Sequence, residues 1–118
     1  MIKFLIVDDE IEVVSFLNNF LKRKGIKVFT AINGKDALDV FTQEKPEFVL
    51  LDINIPGEDG FSILKTIKDL SVQTKVIMIT ARDDKVSVAK AKRMGAEDYI
   101  IKPMELEDLD RIISKHLT

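Results

Sequence analysis

Side chains of the kinds that bind cations or move phosphoryl groups stand directly behind short apolar runs. Asp8 and Asp9 follow Phe4 to Val7, Asp52 follows Phe48 to Leu51, Thr80 closes Val76 to Thr80, and Lys102, with Pro103 behind it, comes just after Tyr99 to Ile101. Taken singly, each has an ordinary explanation. An Asp ahead of a helix caps it. Asp52 ahead of Pro56, Gly57, Asp59 and Gly60 suits a turn. A Thr or Lys at a strand end is usually structural or solvated. Taken together they describe a reaction centre. Crowded carboxylates repel one another, and desolvation raises their pKa values unless a cation is present. The chain has no Cys and a single His, His116, so oxygen ligands point to Mg2+, or Mn2+ in its place, rather than zinc. A carboxylate beside such an ion and a Lys suits phosphoryl transfer, in which the carboxylate attacks and becomes an acyl phosphate.

Whether these residues meet depends on the elements that carry them. The apolar runs, with Val28 to Thr30 as the second in order, are continuous and rich in β-branched residues, as strands covered on both faces are. Between them, apolar residues recur three and four apart. The first such segment carries Val13, Val14, Leu17, Phe20 and Leu21 and stops at Gly25; the third carries Phe61, Leu64, Ile67 and Leu70. The last carries Leu106, Leu109, Ile112, Ile113 and Leu117, with Glu105, Glu107 and Asp108 at the end where the helix dipole favours acids. The second, Gly34 to Gln43, has Asn33 as its cap and buries Ala37, Leu38 and Phe41. The fourth, Asp83 to Met94, offers only a narrow face of Val86, Ala89 and Met94 and carries Lys85, Lys90, Lys92 and Arg93, so it is expected to dock loosely.

Five β-then-α units call for a parallel sheet with right-handed crossovers: an α/β, doubly wound, five-stranded (βα)5 fold of flavodoxin-like order 2-1-3-4-5. In that order strands 1, 3, 4 and 5 are neighbours, so Asp8, Asp9, Asp52, Thr80 and Lys102 converge on one rim. Asp52, central in the sheet, is the natural nucleophile. His116, near the end of the last helix, is expected to be exposed and to stabilise the carbonyl end of that helix.

Composition narrows the function classes. The chain has 118 residues, 46% hydrophobic and 32% charged, with 18 basic against 20 acidic side chains for a net charge of −2. Residues 1–118 read as a single domain with no room for a second of usual size. The near-neutral balance gives no broad attraction to phosphate backbones or acidic lipid. No apolar stretch approaches the ~18 residues of a membrane span, and none has the form of a signal segment. A cytoplasmic protein without direct nucleic-acid or membrane contact is expected.

The motifs are specific enough to name a family. Asp8-Asp9-Glu10, Asp52-Ile53-Asn54-Ile55-Pro56 followed by Asp59-Gly60, Thr80-Ala81, Gly95-Ala96 before Asp98-Tyr99, and Lys102-Pro103 resemble the receiver domains of bacterial two-component response regulators, from Lys3 to about Leu117. The resemblance implies that Asp52 is the phosphoacceptor, that Asp9 binds magnesium directly and Asp8 through water, and that Asn54 offers its backbone carbonyl to the ion. It implies that Thr80 hydrogen-bonds the phosphoryl group, that Lys102 pairs with it, that the Lys102–Pro103 peptide is cis, and that Tyr99 changes rotamer as Thr80 moves. Asn54 and Arg82 stand at family positions that tune the lifetime of the phosphate, and Arg82 is expected to shield it.

The implied donor is a sensor histidine kinase or phosphotransfer protein. The output is a downstream protein or effector domain, reached through the fourth helix, fifth strand and fifth helix. A basic fourth helix beside an acidic fifth also suits an activated homodimer. A stand-alone receiver is favoured over one cut from a longer regulator. Two other classes share parts of the pattern. A haloacid-dehalogenase-like phosphatase would want an Asp where Asn54 stands, and a flavodoxin-like flavin carrier would want a Gly, Ser and Thr-rich loop where Asp8-Asp9-Glu10 stands. A phosphorylation-independent interaction module is the remaining alternative.

Overall fold

The structure, a computed structural model, describes residues 1–117. Ten elements alternate: β1 (Lys3–Val7), α1 (Ile11–Arg23), β2 (Lys27–Ala31), α2 (Gly34–Glu44), β3 (Phe48–Leu51), α3 (Gly60–Leu70), β4 (Lys75–Thr80), α4 (Lys85–Arg93), β5 (Asp98–Ile101) and α5 (Leu106–Leu117). All strand pairs are parallel, in the order β2-β1-β3-β4-β5 that the βα cadence implies.

The continuous apolar runs are explained by the two-sided core. Alternate residues of a strand face opposite ways. Leu5, Val7, Val49, Leu51, Val76 and Met78 therefore meet Ala37 and Phe41 of α2, Ile63, Leu64 and Ile67 of α3, and Ala91 of α4. Phe4, Ile6, Phe48, Leu50, Ile77 and Ile79 meet Leu17, Phe20 and Leu21 of α1 and Leu109 and Ile113 of α5. The rings of Phe4 and Phe48 stack across β1 and β3 at 4.5 Å. β3 is buried throughout and β1 and β4 are buried past Lys3 and Lys75 at their starts; β2 and β5 are edges with partly exposed residues, so the two-sided cover read from their apolar content holds for the inner strands alone.

Local chemistry sets most helix starts. Asn33 accepts from Asp36 N (2.8 Å), Asp59 from Phe61 N (3.0 Å) and Asp84 from Ser87 N (2.9 Å). The first helix differs: neither Asp8 nor Asp9 is its cap, since the N-cap is Glu10, whose side chain makes no capping bond. Gly60 has to be glycine, because a Cβ there would lie 2.5 Å from Asp52 O and from Ile53 Cα. That close approach lets Gly60 N donate to Ile53 O (2.8 Å) and presses the start of α3 against the chain leaving β3.

Two expectations are corrected. In α4 the buried residues are Ser87 and Ala91, while Val86 and Ala89 face out and only Met94 of the expected face packs on the core. Ser87 and Ala91, four apart, form the inward stripe, and Asp84 caps the helix at its start. His116 is not exposed: its side chain is 13% accessible and its Nε2 lies 3.0 Å from Asp98 Oδ2 at the start of β5. Lys75 Nζ donates to His116 O (3.0 Å), so this end of α5 is fastened to two strands rather than offered to solvent.

Candidate functional site

The sheet itself fixes the rim. Asp8 N continues the ladder past β1 by donating to Ala31 O (3.1 Å), Asp52 N donates to Val7 O (3.0 Å), and Lys102 N donates to Thr80 O (2.9 Å). Each of these residues is the first after its strand and is still held by the neighbouring strand. Their main chains are therefore as well placed as the sheet, while their side chains project beyond it.

Lys102 Nζ lies 2.7 Å from Asp8 Oδ2, 2.6 Å from Glu10 Oε1 and 2.9 Å from Asp52 Oδ2. An ammonium has three N–H bonds, so this one is fully committed. The Lys102, Asp8 and Asp52 side chains are 9%, 3% and 6% exposed, whereas Glu10 is 59% exposed. The other oxygens of the buried pair are used as well: Asp8 Oδ1 accepts from Glu10 N (2.9 Å) and Asp52 Oδ1 from Asn54 N (3.1 Å). Burial pushes the Asp8 carboxyl up, outweighing the Lys102 hydrogen bond that favours its charge. Burial alone would pull the Lys102 ammonium down, but its hydrogen bonds to Asp8, Glu10 and Asp52 prevail and hold it well above its ordinary value.

Thr80 is fully buried, and its Oγ1 accepts from Arg82 N (3.3 Å). The Tyr99 hydroxyl donates to Arg82 O (2.6 Å), so the segment leaving β4 is held at both polar groups of one peptide-bearing residue. Burial, reinforced by the charge of Asp84, pushes the Tyr99 hydroxyl up. The Arg82 guanidinium lies 5.7 Å from the centre of the Phe61 ring, and Lys90 Nζ lies 4.4 Å from it. The Lys102–Pro103 peptide is cis.

Asp9 is exposed and is not among the carboxylates gathered by Lys102. It lines a polar hollow of 550 Å³ with Asn54, Pro56, Glu58 and Arg82. A separate, largely apolar groove of 440 Å³ is lined by Glu10, Val13, Phe16, Lys102, Pro103 and Met104. Among the described residues, Asp8, Glu10 and Asp52 each offer a carboxylate oxygen within 4.8 Å of the others, a donor set that suits a hard cation.

The sequence profile of the response regulator receiver domain family matches residues 4–114. This chain belongs to that family. The receiver is 37% identical over 115 residues to sporulation initiation phosphotransferase F of Bacillus subtilis, covering 98% of this chain and 93% of that protein. Its fold superposes on the beryllofluoride-activated DrrB receiver domain with a TM-score of 0.91 at 32% identity, covering 99% of this chain and 97% of that one. A CheY-like receiver domain protein from Methanospirillum hungatei gives 0.94 at 27% identity, covering 99% and 94%.

One member of the receiver's rim had no role assigned from sequence. Glu10 was visible only as the third acid of Asp8-Asp9-Glu10. Two signals point to it: Asp8 and Asp52 leave one N–H of Lys102 open, and Glu is a poor N-cap, so its carboxylate is free for another use.

Replacing Lys102 with Met strands buried carboxylates without a counter-charge, a loss that costs about 3–5 kcal/mol. A carboxyl pushed up in the fold favours folding at low pH and opposes it as pH rises through its folded value. Urea unfolding of Lys102→Met against the native receiver should therefore show a deficit that is largest at neutral pH and shrinks as pH is lowered and Asp8 takes up its proton.

Proposed function

We propose that residues 1–118 make one receiver unit that accepts a phosphoryl group on Asp52 from a phosphohistidine of a sensor histidine kinase or phosphotransfer protein, in the cytoplasm. The observation that carries this reading is the Lys102 ammonium held 2.9 Å from Asp52 Oδ2 inside a buried acidic cluster. In the step, a lone pair of the Asp52 carboxylate forms the new O–P bond. The P–N bond of the donor breaks, and its electron pair stays on the imidazole nitrogen. Lys102 pairs with one phosphoryl oxygen, and the Thr80 hydroxyl, which in this structure accepts from Arg82 N, donates to another. By the family resemblance Asp8, Asp9 and Asp52 with the Asn54 carbonyl would hold Mg2+, or Mn2+ in its place; of these, Asp8 and Asp52 already bring carboxylate oxygens together, and Asp9 lines the adjoining polar hollow. When bound, the ion neutralises charge on the transferring group. Water attacking phosphorus in line later releases inorganic phosphate and restores the carboxylate.

The domain catalyses only its own phosphorylation and dephosphorylation, and its output is a downstream protein or effector domain. Movement of Thr80 pulls on Arg82 and, through Arg82 O, on Tyr99. That path leads to the α4-β5-α5 face, where Val86, Ile101 and Leu106 are exposed. A basic α4 and an acidic α5 flank these apolar residues, which suits a second activated copy docking there. A relative named as a phosphotransferase and a beryllofluoride-activated receiver both support this reading. Asn54, where a haloacid-dehalogenase-like phosphatase would place a second acid, speaks against that alternative.

Intact mass after incubation with phosphoramidate should rise by one phosphoryl group only with Mg2+, and not at all in Asp52→Ala. Without an adduct and without beryllofluoride binding, a phosphorylation-independent interaction module is the better reading. Arg82→Ala should lose its phosphate severalfold faster than the native protein, followed by release of inorganic phosphate; equal rates would remove Arg82 from the shielding role. Light scattering with beryllofluoride and Mg2+ should report a dimer mass, and a monomer would discard the homodimer.

A further inference from the structure

We propose that Glu10 is the displaceable partner of Lys102: its carboxylate fills one of the three ammonium bonds in the resting domain and leaves for solvent when a phosphoryl oxygen arrives. The inference deepens the phosphoacceptor reading of Asp52 and rests on it.

The argument begins with the saturation of Lys102. Asp8, Glu10 and Asp52 take all three N–H bonds, at 2.7, 2.6 and 2.9 Å. Before the O–P bond forms, Asp52 still holds its own N–H, so an incoming phosphoryl oxygen finds none free. One carboxylate has to yield, and the costs differ widely. Asp8 and Asp52 are nearly enclosed by protein, at 3% and 6% exposure, and have no solvent to withdraw into. Glu10, at 59% exposure, exchanges its ion pair for water at little cost. Charge points the same way. Phosphorylation turns the singly charged Asp52 carboxylate into a dianionic acyl phosphate, and Glu10 is the one acid at Lys102 with open water to withdraw into.

A second, independent observation concerns the helix. Glu10 is the N-cap residue of α1, yet its side chain makes no capping bond. The carboxylate reaches instead across 92 positions of sequence to Lys102. Its backbone is nevertheless anchored, since Glu10 N donates to Asp8 Oδ1 (2.9 Å) and Glu10 O accepts from Val14 N (3.0 Å). Only the side chain is therefore required to move. The acyl-phosphate step itself is unchanged: Asp52 oxygen bonds phosphorus, and the donor departs with the electron pair of its broken bond.

Two substitutions separate displacement from simple repulsion. Glu10→Gln removes the charge. Glu10→Asp keeps it but is one methylene shorter, and Asp is a favoured N-cap that turns toward the helix. Both should speed phosphorylation of Asp52 about two- to fivefold, the range a partly exposed ion pair is worth. The gain should be alike for dianionic acetyl phosphate and monoanionic phosphoramidate, and dephosphorylation should be unchanged because Glu10 has already left. Unchanged phosphorylation would overturn the proposal. So would a gain confined to Glu10→Gln and larger for the dianion, which would mean repulsion alone, or weakened Mg2+ binding, which would make Glu10 a metal ligand. On the native protein, the 13C carboxyl signal of Glu10 should shift toward that of a free glutamate when beryllofluoride and Mg2+ are added. A stationary signal would show that Glu10 stays in place and refute the idea. A native chain that takes neither phosphoryl group nor beryllofluoride would bring down the receiver chemistry and, with it, this inference.

Discussion

The Lys102 ammonium among the carboxylates of Asp8, Glu10 and Asp52 is the interaction on which the rest of the architecture turns. Buried ion pairs add little net stability, because desolvation consumes most of their attraction. Burial is costly here, as the raised Asp8 carboxyl indicates. The fold therefore has to carry this site rather than be held by it. It does so with a sheet whose inner strands are apolar on both faces and whose ladder runs one residue past the strands at Asp8, Asp52 and Lys102. Those extra hydrogen bonds fix where the charges stand before any partner arrives.

Rigidity is not distributed evenly around that edge. α3 is pressed onto the chain leaving β3 at Gly60, and Lys68 of α3 donates to Thr74 O (2.6 Å) and to Glu97 Oε1 (2.9 Å), tying the far ends of β4 and β5 together. Among the described residues, α4 is attached to α3 by the contact of Lys90 Nζ with the Phe61 ring (4.4 Å) rather than by hydrogen bonds of this kind. It buries only Ser87 and Ala91, and the segment before it is held through Arg82 by Thr80 Oγ1 and Tyr99. Elements with few buried apolar contacts are the ones that move at low cost. The contacts that restrain this one end on Thr80, beside the reaction centre, so local chemistry and distant surface share a single weak link.

Much of this was legible in the residues. The strand positions followed from apolar runs that need cover on both sides, and the meeting of Asp8, Asp52 and Lys102 at one rim with Thr80 beside it followed from strand order, while Asp9, expected with them, lines the polar hollow. The misreadings have physical causes. Val86 and Ala89 looked like a core face because spacing alone does not set helix phase when the stripe turned inward, Ser87 and Ala91, is small and partly polar. His116 looked free because its partner, Asp98, is 18 positions away on an edge strand. Glu10 was passed over because its role depends on counting the hydrogen bonds of a lysine 92 positions distant.

The two openings beside the acidic edge differ in a way that separates the controls on the reaction. Lys102 and Glu10 line the apolar groove, while Asp9, Asn54 and Arg82 line the polar hollow. Water and hydrated ions favour the polar side, since an apolar wall gives them no hydrogen bonds in exchange for their hydration. On the proposed acyl-phosphate reading, groups in the hollow are placed to govern what reaches phosphorus. Groups at the groove govern whether Lys102 is available to form it. On that reading one carboxylate nucleophile would be adjusted from two sides by different residues, so that the rates of gain and loss could vary independently on an unchanged sheet.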